Sequence, residues 1–355
     1  MNKYQQSSFG PPLLGNLGNF LAPGWPVLGL GRTEFTGSLL RNGRDTNWVM
    51  VSAGDDHSLA LKSDGRIWAW GANYRGQLGD GVSVPKLSNG KLNVQDRPVR
   101  TAEGGGWVRV EAGFVTSYAL KRDGTLWAWG LNNFGQLGIA SWAGAPKPVL
   151  VGTATNWVKI RAGGVSAAGI QSDGRLWIWG GSPALGNRTP QSPQNLLVPT
   201  CVTSDTNWTD VSVAFNLWPA VKADGSLWAW GPNAHVLAGA AQDTCETPTQ
   251  VGDATDWRPA WSSQGGYYHL LKKREGTFWV MDASQGHHTS VRLSSIKLPP
   301  NVVAVDAGGG AVAAISQEGE VWTCGTVLGQ HGTRDRLLRW AEQRPTPPRS
   351  RGRPA

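Results

Sequence analysis

The sequence predicts an all-β protein built from repeated four-stranded antiparallel units, and three observations predict it. A short motif recurs down the chain, acidic-glycine corners separate alternating apolar runs, and tryptophan and glycine, at 20 and 48 residues, stand far above ordinary usage.

SDGRIWAWG at Ser63 to Gly71 returns as RDGTLWAWG from Arg122, SDGRLWIWG from Ser172 and ADGSLWAWG from Ala223. Two weaker copies follow, REGTFWVM from Arg274 and QEGEVWTCG from Gln317, so the corner glycine falls at 65, 124, 174, 225, 276 and 319. Each corner is an acidic-glycine pair between two apolar runs: Asp64 with Gly65, Asp123 with Gly124, Asp173 with Gly174 and Asp224 with Gly225. That pairing predicts a hairpin with a two-residue turn. Beyond the corner, residues two apart share a sheet face, which puts Trp68 with Trp70, Trp127 with Trp129, Trp177 with Trp179 and Trp228 with Trp230.

A further strand is predicted ahead of each hairpin, opened by Trp48, Trp107, Trp157, Trp208 or Trp257, and another after it, following GQLG at Gly76 and Gly135 and including PVLVG from Pro148 and PTQVG from Pro248. Four strands repeated in this way cannot cover both of their faces alone. Neighbouring units must stack, and a twisted stack of such sheets closes into a β-propeller.

The order Trp, Ala-Gly, His-Ser-Leu-Ala-Leu, Asp-Gly, Trp-x-Trp-Gly, Gly-Gln-Leu-Gly resembles the regulator-of-chromosome-condensation repeat from about residue 25 to 330. The resemblance implies seven blades, with one blade shared between the termini, although six hairpins are visible and six blades are the alternative. The missing strands are expected from the segment after Val27 and from both ends of the chain, including Leu337, Leu338 and Trp340. The expected division is an irregular segment at 1–24, the propeller at 25–333 and a solvated, disordered Pro- and Arg-rich tail at 334–355.

The net charge of +8 sits mostly in that tail, where Arg334, Arg336, Arg339, Arg344, Arg349, Arg351 and Arg353 face only Asp335 and Glu342. The body is nearly neutral, so a nucleic-acid or acidic-surface partner is expected only through the tail. Cys201, Cys245 and Cys324 are odd in number and widely spaced, which argues against a disulfide framework or zinc. With no apolar run of signal or membrane-spanning length, a cytoplasmic monomer without a membrane span is expected.

No catalytic constellation emerges. Asp64, Asp123, Asp173, Asp224, Glu275 and Glu318 occupy equivalent corners, where repetition gives every copy one environment and turn geometry explains the residue type. His57, His235, His269, His287, His288 and His331 form no metal-binding pattern, and the GGG runs at Gly104 and Gly308 lack the flanking residues of a phosphate loop. No catalytic residue, cofactor or metal is therefore assigned.

Partner binding is expected on the rim loops. The step from Gly65 to Gly124 is the longest between corners, because VSVPKLSNGKLNVQDRPVR is inserted from Val82. Its Lys86, Lys91, Arg97 and Arg100 are the candidate contacts to a protein partner. The family resemblance adds guanine-nucleotide exchange on a Ras-like small GTPase as an alternative, with no exchange residues to carry over.

Overall fold

A computed structural model describes residues 28–29, 40–41, 47–54, 56–83, 93–101, 104–181, 191–213, 217–231, 234, 245–262, 268–285, 290–296, 302–308, 311–316, 321–325 and 338–339. These residues form six four-stranded antiparallel sheets in chain order. The first holds Trp48–Ala53, His57–Lys62, Ile67–Ala72 and Val94–Arg100, and the second Trp107–Ala112, Thr116–Lys121, Leu126–Gly130 and Ala145–Leu150. The third holds Trp157–Ala162, Ser166–Gln171, Leu176–Gly180 and Leu196–Cys201, and the fourth Trp208–Val211, Trp218–Lys222, Leu227–Gly231 and Cys245–Gln250. Trp257–Ser262, Tyr268–Lys273, Phe278–Gln285 and Ser290–Ile296 make the fifth; Val302–Gly308, Ala311–Ser316, Val321–Gly325 and Leu338–Arg339 make the sixth.

Strand order within each sheet follows the chain, and the opening strand of each later sheet lies against the first or second strand of the sheet before it. This is the blade arrangement of a β-propeller, with the opening strands nearest the axis. Burial falls outward: His57–Lys62 and Ser166–Gln171 are buried throughout, whereas Leu196–Cys201 is half-buried to exposed.

The ends follow expectation in part. Leu338–Arg339, within the stretch from which a missing strand is expected, pairs with Trp322 and Thr323 and completes the sixth blade. Leu28–Gly29 and Leu40–Arg41 pair with each other as a separate ribbon. Each described sheet thus comes from one continuous stretch of chain, and a seventh blade shared by the termini lies outside the described residues, as does the tail from residue 340.

The corners also differ. The expected two-residue turn is a three-residue loop, because the Lys62 amide donates to Arg66 O at 3.0 Å while the Gly65 amide donates to Lys62 O at 2.9 Å. Only the glycine takes a positive φ, +75° at Gly65 and +78° at Gly124, which is a type I turn closed by a glycine bulge. The aspartate contributes through its side chain instead, since Asp64, Asp123, Asp173 and Asp224 each accept the backbone amide two residues on, at 2.9–3.0 Å. The acidic residue therefore stabilises its own corner.

Each corner also holds the next blade. The amides of Trp107, Trp157, Trp208 and Trp257 donate to the carbonyls of Gly65, Gly124, Gly174 and Gly225, at 3.0–3.3 Å. The paired indoles divide the remaining work. Trp70, Trp129, Trp179 and Trp230 are buried, and the Trp129 indole N–H donates to Gln77 O in the preceding blade at 2.9 Å. Trp68, Trp127, Trp177, Trp228 and Trp279 are half-buried and meet the opening indole of their own blade at 5.8–6.3 Å between ring centroids. Lys62, Lys121, Lys222 and Lys273 lay their ammonium groups over both indoles, a seat that Gln171 occupies in the third blade.

Two buried histidines bridge blades. Ser117 donates its hydroxyl to Gln77 O at 2.7 Å, so at 2.8 Å His57 Nε2–H is the donor to Ser117 Oγ, which fixes the neutral tautomer. His269 Nδ1 lies 2.6 Å from Ser212 Oγ. Burial holds His57 down at about 4 and His269 at about 3.

The corners and the histidine bridges each carry a testable consequence. A methyl group at Gly124 would meet Thr155 O at 1.9 Å in addition to its φ of +78°, whereas Gly252 at +63° has nothing within 4 Å. Gly252→Ala should cost only the left-handed conformation, about 1–2 kcal/mol, and Gly124→Ala clearly more; thermal unfolding of the two variants side by side checks this, and equal midpoints contradict the corner's clasping role. For the histidines, the unfolded chain takes up protons near pH 6.5 while the folded chain refuses them until about 4 and about 3. Stability is therefore full above pH 6.5 and falls as the pH drops towards 4, by about 1.4 kcal/mol per pH unit per histidine. Unfolding midpoints between pH 7 and 5 should show the fall and His57→Gln should roughly halve its slope, leaving the His269 contribution; a flat wild-type profile contradicts neutral burial.

Candidate functional site

The rim insert leaves the first blade from a rigid base. The Asn73 side chain accepts the Leu78 amide at 3.0 Å and donates to Asp80 at 2.9 Å, and Asp80 in turn accepts the Val82 amide. Gln77, fully buried, caps the Arg75 amide through Oε1 at 2.8 Å, and the Gly81 amide donates across to Pro146 O in the second blade. One blade later Asn132 accepts the Leu137 amide and Gln136 the Phe134 amide in the same way, while Asn132 donates to the carbonyls of Ser141 and Ala143 in place of an aspartate. Sequence reading recognised the Gly-Gln-Leu-Gly turn and missed the asparagine that closes it; its recurrence three residues before each GQLG was the available signal.

Of the four basic residues predicted on the insert, Arg97 and Arg100 lie in Val94–Arg100, the outermost strand of the first blade, and both are exposed. Lys86 and Lys91 lie outside the described residues. Pro98 falls where the pairing of this strand with Ile67–Ala72 shifts register, as suits an edge position that needs no ladder donor.

The structure also gathers a buried group of charges from three opening strands, which sequence reading missed. Every opening strand of the first four blades shifts register just after its tryptophan, between Trp107 and Arg109 for example. The residues two and four positions beyond the tryptophan are Arg109 and Glu111 in the second blade, Lys159 and Arg161 in the third, and Asp210 and Ser212 in the fourth. All are buried, with Asp210 and Ser212 at 0% exposure and Arg109 at 4%.

Asp210 is the best-held member. Arg161 Nη2 donates to it at 3.0 Å, Lys159 Nζ lies at 3.1 Å, and the Val211 amide adds a bond at 2.9 Å. Burial opposes its charge, but Arg161 and Lys159 prevail and hold the carboxyl below its ordinary range. Glu111, with Arg161 Nη1 at 3.9 Å, goes the other way, raised because burial outweighs the neighbouring guanidinium groups. Burial lowers Lys159 to about 8 and, with Arg161 adding repulsion, Arg109 to about 10. The signal in the sequence was charge at alternate positions of WVRVEAG and WVKIRAG, which reads as a solvated strand face unless the next blade covers it.

This arrangement ties three blades together and can offer positive charge; its one hydroxyl, Ser212, is fully buried against His269. Among the described residues no three His, Cys, Asp or Glu side chains converge on a metal position, and no helix is long and apolar enough to cross a membrane.

Profiles of the regulator of chromosome condensation (RCC1) repeat match residues 49–77 and 107–136, and in a second form residues 64–119 and 123–168. The human probable E3 ubiquitin-protein ligase HERC3 is 40% identical over 92 residues, 26% of this chain and 8% of that protein. Human HERC6 is 36% identical over 116 residues, 32% of this chain and 11% of that protein. The X-linked retinitis pigmentosa GTPase regulator homolog of Caenorhabditis elegans is 35% identical over 95 residues, 27% of this chain and 6% of that protein. The chain thus spans only a small part of the length of these relatives. Among solved structures, Prp20p of Saccharomyces cerevisiae superposes with a TM-score of 0.70 at 17% identity, covering 91% of this chain and 84% of that one. Human WBSCR16 superposes at 0.66 and 17% identity, covering 85% and 83%. The recurring corner, the paired indoles and the four-stranded blades are accordingly those of the regulator of chromosome condensation repeat, which the chain matches between residues 49 and 168.

Proposed function

We propose that the chain is a non-catalytic interaction module that takes a protein partner on the rim where the insert leaves the first blade. One observation carries this reading: the insert springs from a base fixed by Asn73, Gln77 and Asp80 and returns into a strand whose Arg97 and Arg100 face solvent. A long connection presented from a rigid base is where propellers and other scaffolds place recognition, since the base limits the entropy lost on binding. The exposed guanidinium groups favour an acidic partner surface and make the encounter sensitive to salt. A photo-crosslinker at Lys86 should capture a partner that one at Val198, exposed on the third blade's outer strand, does not. With that partner purified, Arg97→Glu with Arg100→Glu should weaken binding at least about tenfold, or 1.4 kcal/mol; unchanged affinity removes the insert from the interface.

A small GTPase is the second reading. It is supported by the fold likeness to Prp20p, whose structure was described with its binding properties to Gsp1p and histones, and by the sequence likeness to a GTPase regulator homolog. Fold alone does not carry an activity between proteins so distant. Release of labelled nucleotide from a panel of Ras-like GTPases is the measurement: acceleration by the full chain, reduced when residues 84–92 are shortened, is expected of an exchange factor, and no acceleration on any member excludes it.

A further inference from the structure

The buried charges do not cancel. Lys159 and Arg161 both serve Asp210, Glu111 stands 3.9 Å from Arg161, and Arg109 is left with neither Nε nor Nη2 hydrogen-bonded although only 4% of the residue is exposed. Its position in the repeat explains why. The equivalent residues of the blades on either side are Met50 and Lys159, which offer no acceptor, whereas Lys159 finds Asp210 at the equivalent place one blade on. A guanidinium keeps its proton, so it cannot escape burial by neutralising itself as a lysine or a carboxyl can. A buried cation with unmade hydrogen bonds is costly until something supplies the missing acceptors.

The two unpartnered nitrogens, Nε and Nη2, form the lateral edge of the guanidinium fork, with parallel N–H groups at the spacing of two oxygens on one carbon or phosphorus. We propose that Arg109, backed by the positive charge of Arg161 and Lys159, is the binding site for a small oxyanion of the carboxylate or phosphate class between the opening strands of the second and third blades. Glu111 does not forbid it. Burial pushes that carboxyl up, which weakens its opposition to an anion, and Glu111 Oε2 has no hydrogen-bond partner. The site lies apart from the rim insert, and its occupancy does not depend on which protein binds there.

The test uses the full chain, with inorganic phosphate and acetate as probes against chloride at one pH and matched ionic strength. Phosphate or acetate at about 50 mM should raise the thermal midpoint by about 3 °C or more over chloride. Which of the two is more effective assigns the class. The phosphate signal should broaden in phosphorus NMR on adding wild-type protein. Arg109→Met should abolish both effects, and in chloride it should melt at or above wild type because it removes an unpaired charge. Arg97→Gln, on the outer strand, should keep both effects. Equal midpoints of the wild type in all three salts with an unbroadened phosphate signal overturn the proposal. So does an anion effect that persists in Arg109→Met. Should that variant fail to fold, Arg109→Lys, which keeps the charge and loses the two-pronged edge, takes its place and is expected to lose the phosphate effect.

Discussion

Everything in this propeller depends on a backbone bond repeated at four hairpin corners, where the carbonyl of the corner glycine accepts the amide of the next blade's opening tryptophan. That bond needs the two chains to approach so closely that a side chain on Gly124 or Gly174 would fall 1.9 Å from the neighbouring threonine carbonyl. The same glycine must adopt a positive φ to close its own turn. One residue thus answers to two constraints, one inside its blade and one between blades. The corner glycines are the most regular feature of the sequence for that reason.

Other bonds between blades share a principle. Trp129 reaches Gln77 O, Ser117 reaches the same carbonyl, Ser52 accepts the Ala112 amide, and His57 completes the set by donating to Ser117. Apolar contact alone would let neighbouring sheets slide over each other, because dispersion and the hydrophobic effect are nearly indifferent to direction. Buried hydrogen bonds are not indifferent, since a slip of one residue leaves donors without acceptors at a cost of about 1–3 kcal/mol each. The aromatic layers provide the attraction, and these few polar bonds fix the register in which it acts.

The blades were legible in the sequence because their causes are local. Asp-Gly corners, tryptophans at alternate positions and Gly-Gln-Leu-Gly turns each act within one unit and recur with it, so Trp68, Trp127, Trp177 and Trp228 could be placed on strands without knowing their neighbours. The two-residue turn was misjudged for a local reason too. Asp-Gly suits two positive φ angles, but the aspartate stays right-handed here and spends its carboxylate on the amide two residues on. What could not be read was what one blade does to the next. Arg109, Glu111, Lys159 and Arg161 alternate with apolar residues as an exposed strand face would, and only the stacking of blades puts them inside. His57 and His269 were likewise ordinary strand residues until a serine of the adjoining blade faced them.

A repeat protein has a particular difficulty with buried charge. Equivalent residues of successive blades meet their own copies, so a charge encoded in the repeat confronts a like charge in the next unit and repels it. Tryptophan, serine and glycine can be repeated without penalty; lysine and arginine near the axis cannot. The fourth blade resolves this by placing Asp210 where the third has Lys159 and the second has Arg109, and the alternation of sign yields two short ion pairs. Between the second and third blades the alternation fails, since arginine there stands next to lysine. Structural pairing accounts for Asp210, Lys159 and Arg161. It does not account for Arg109, whose charge has a use in the folded chain only if something other than the repeat answers it.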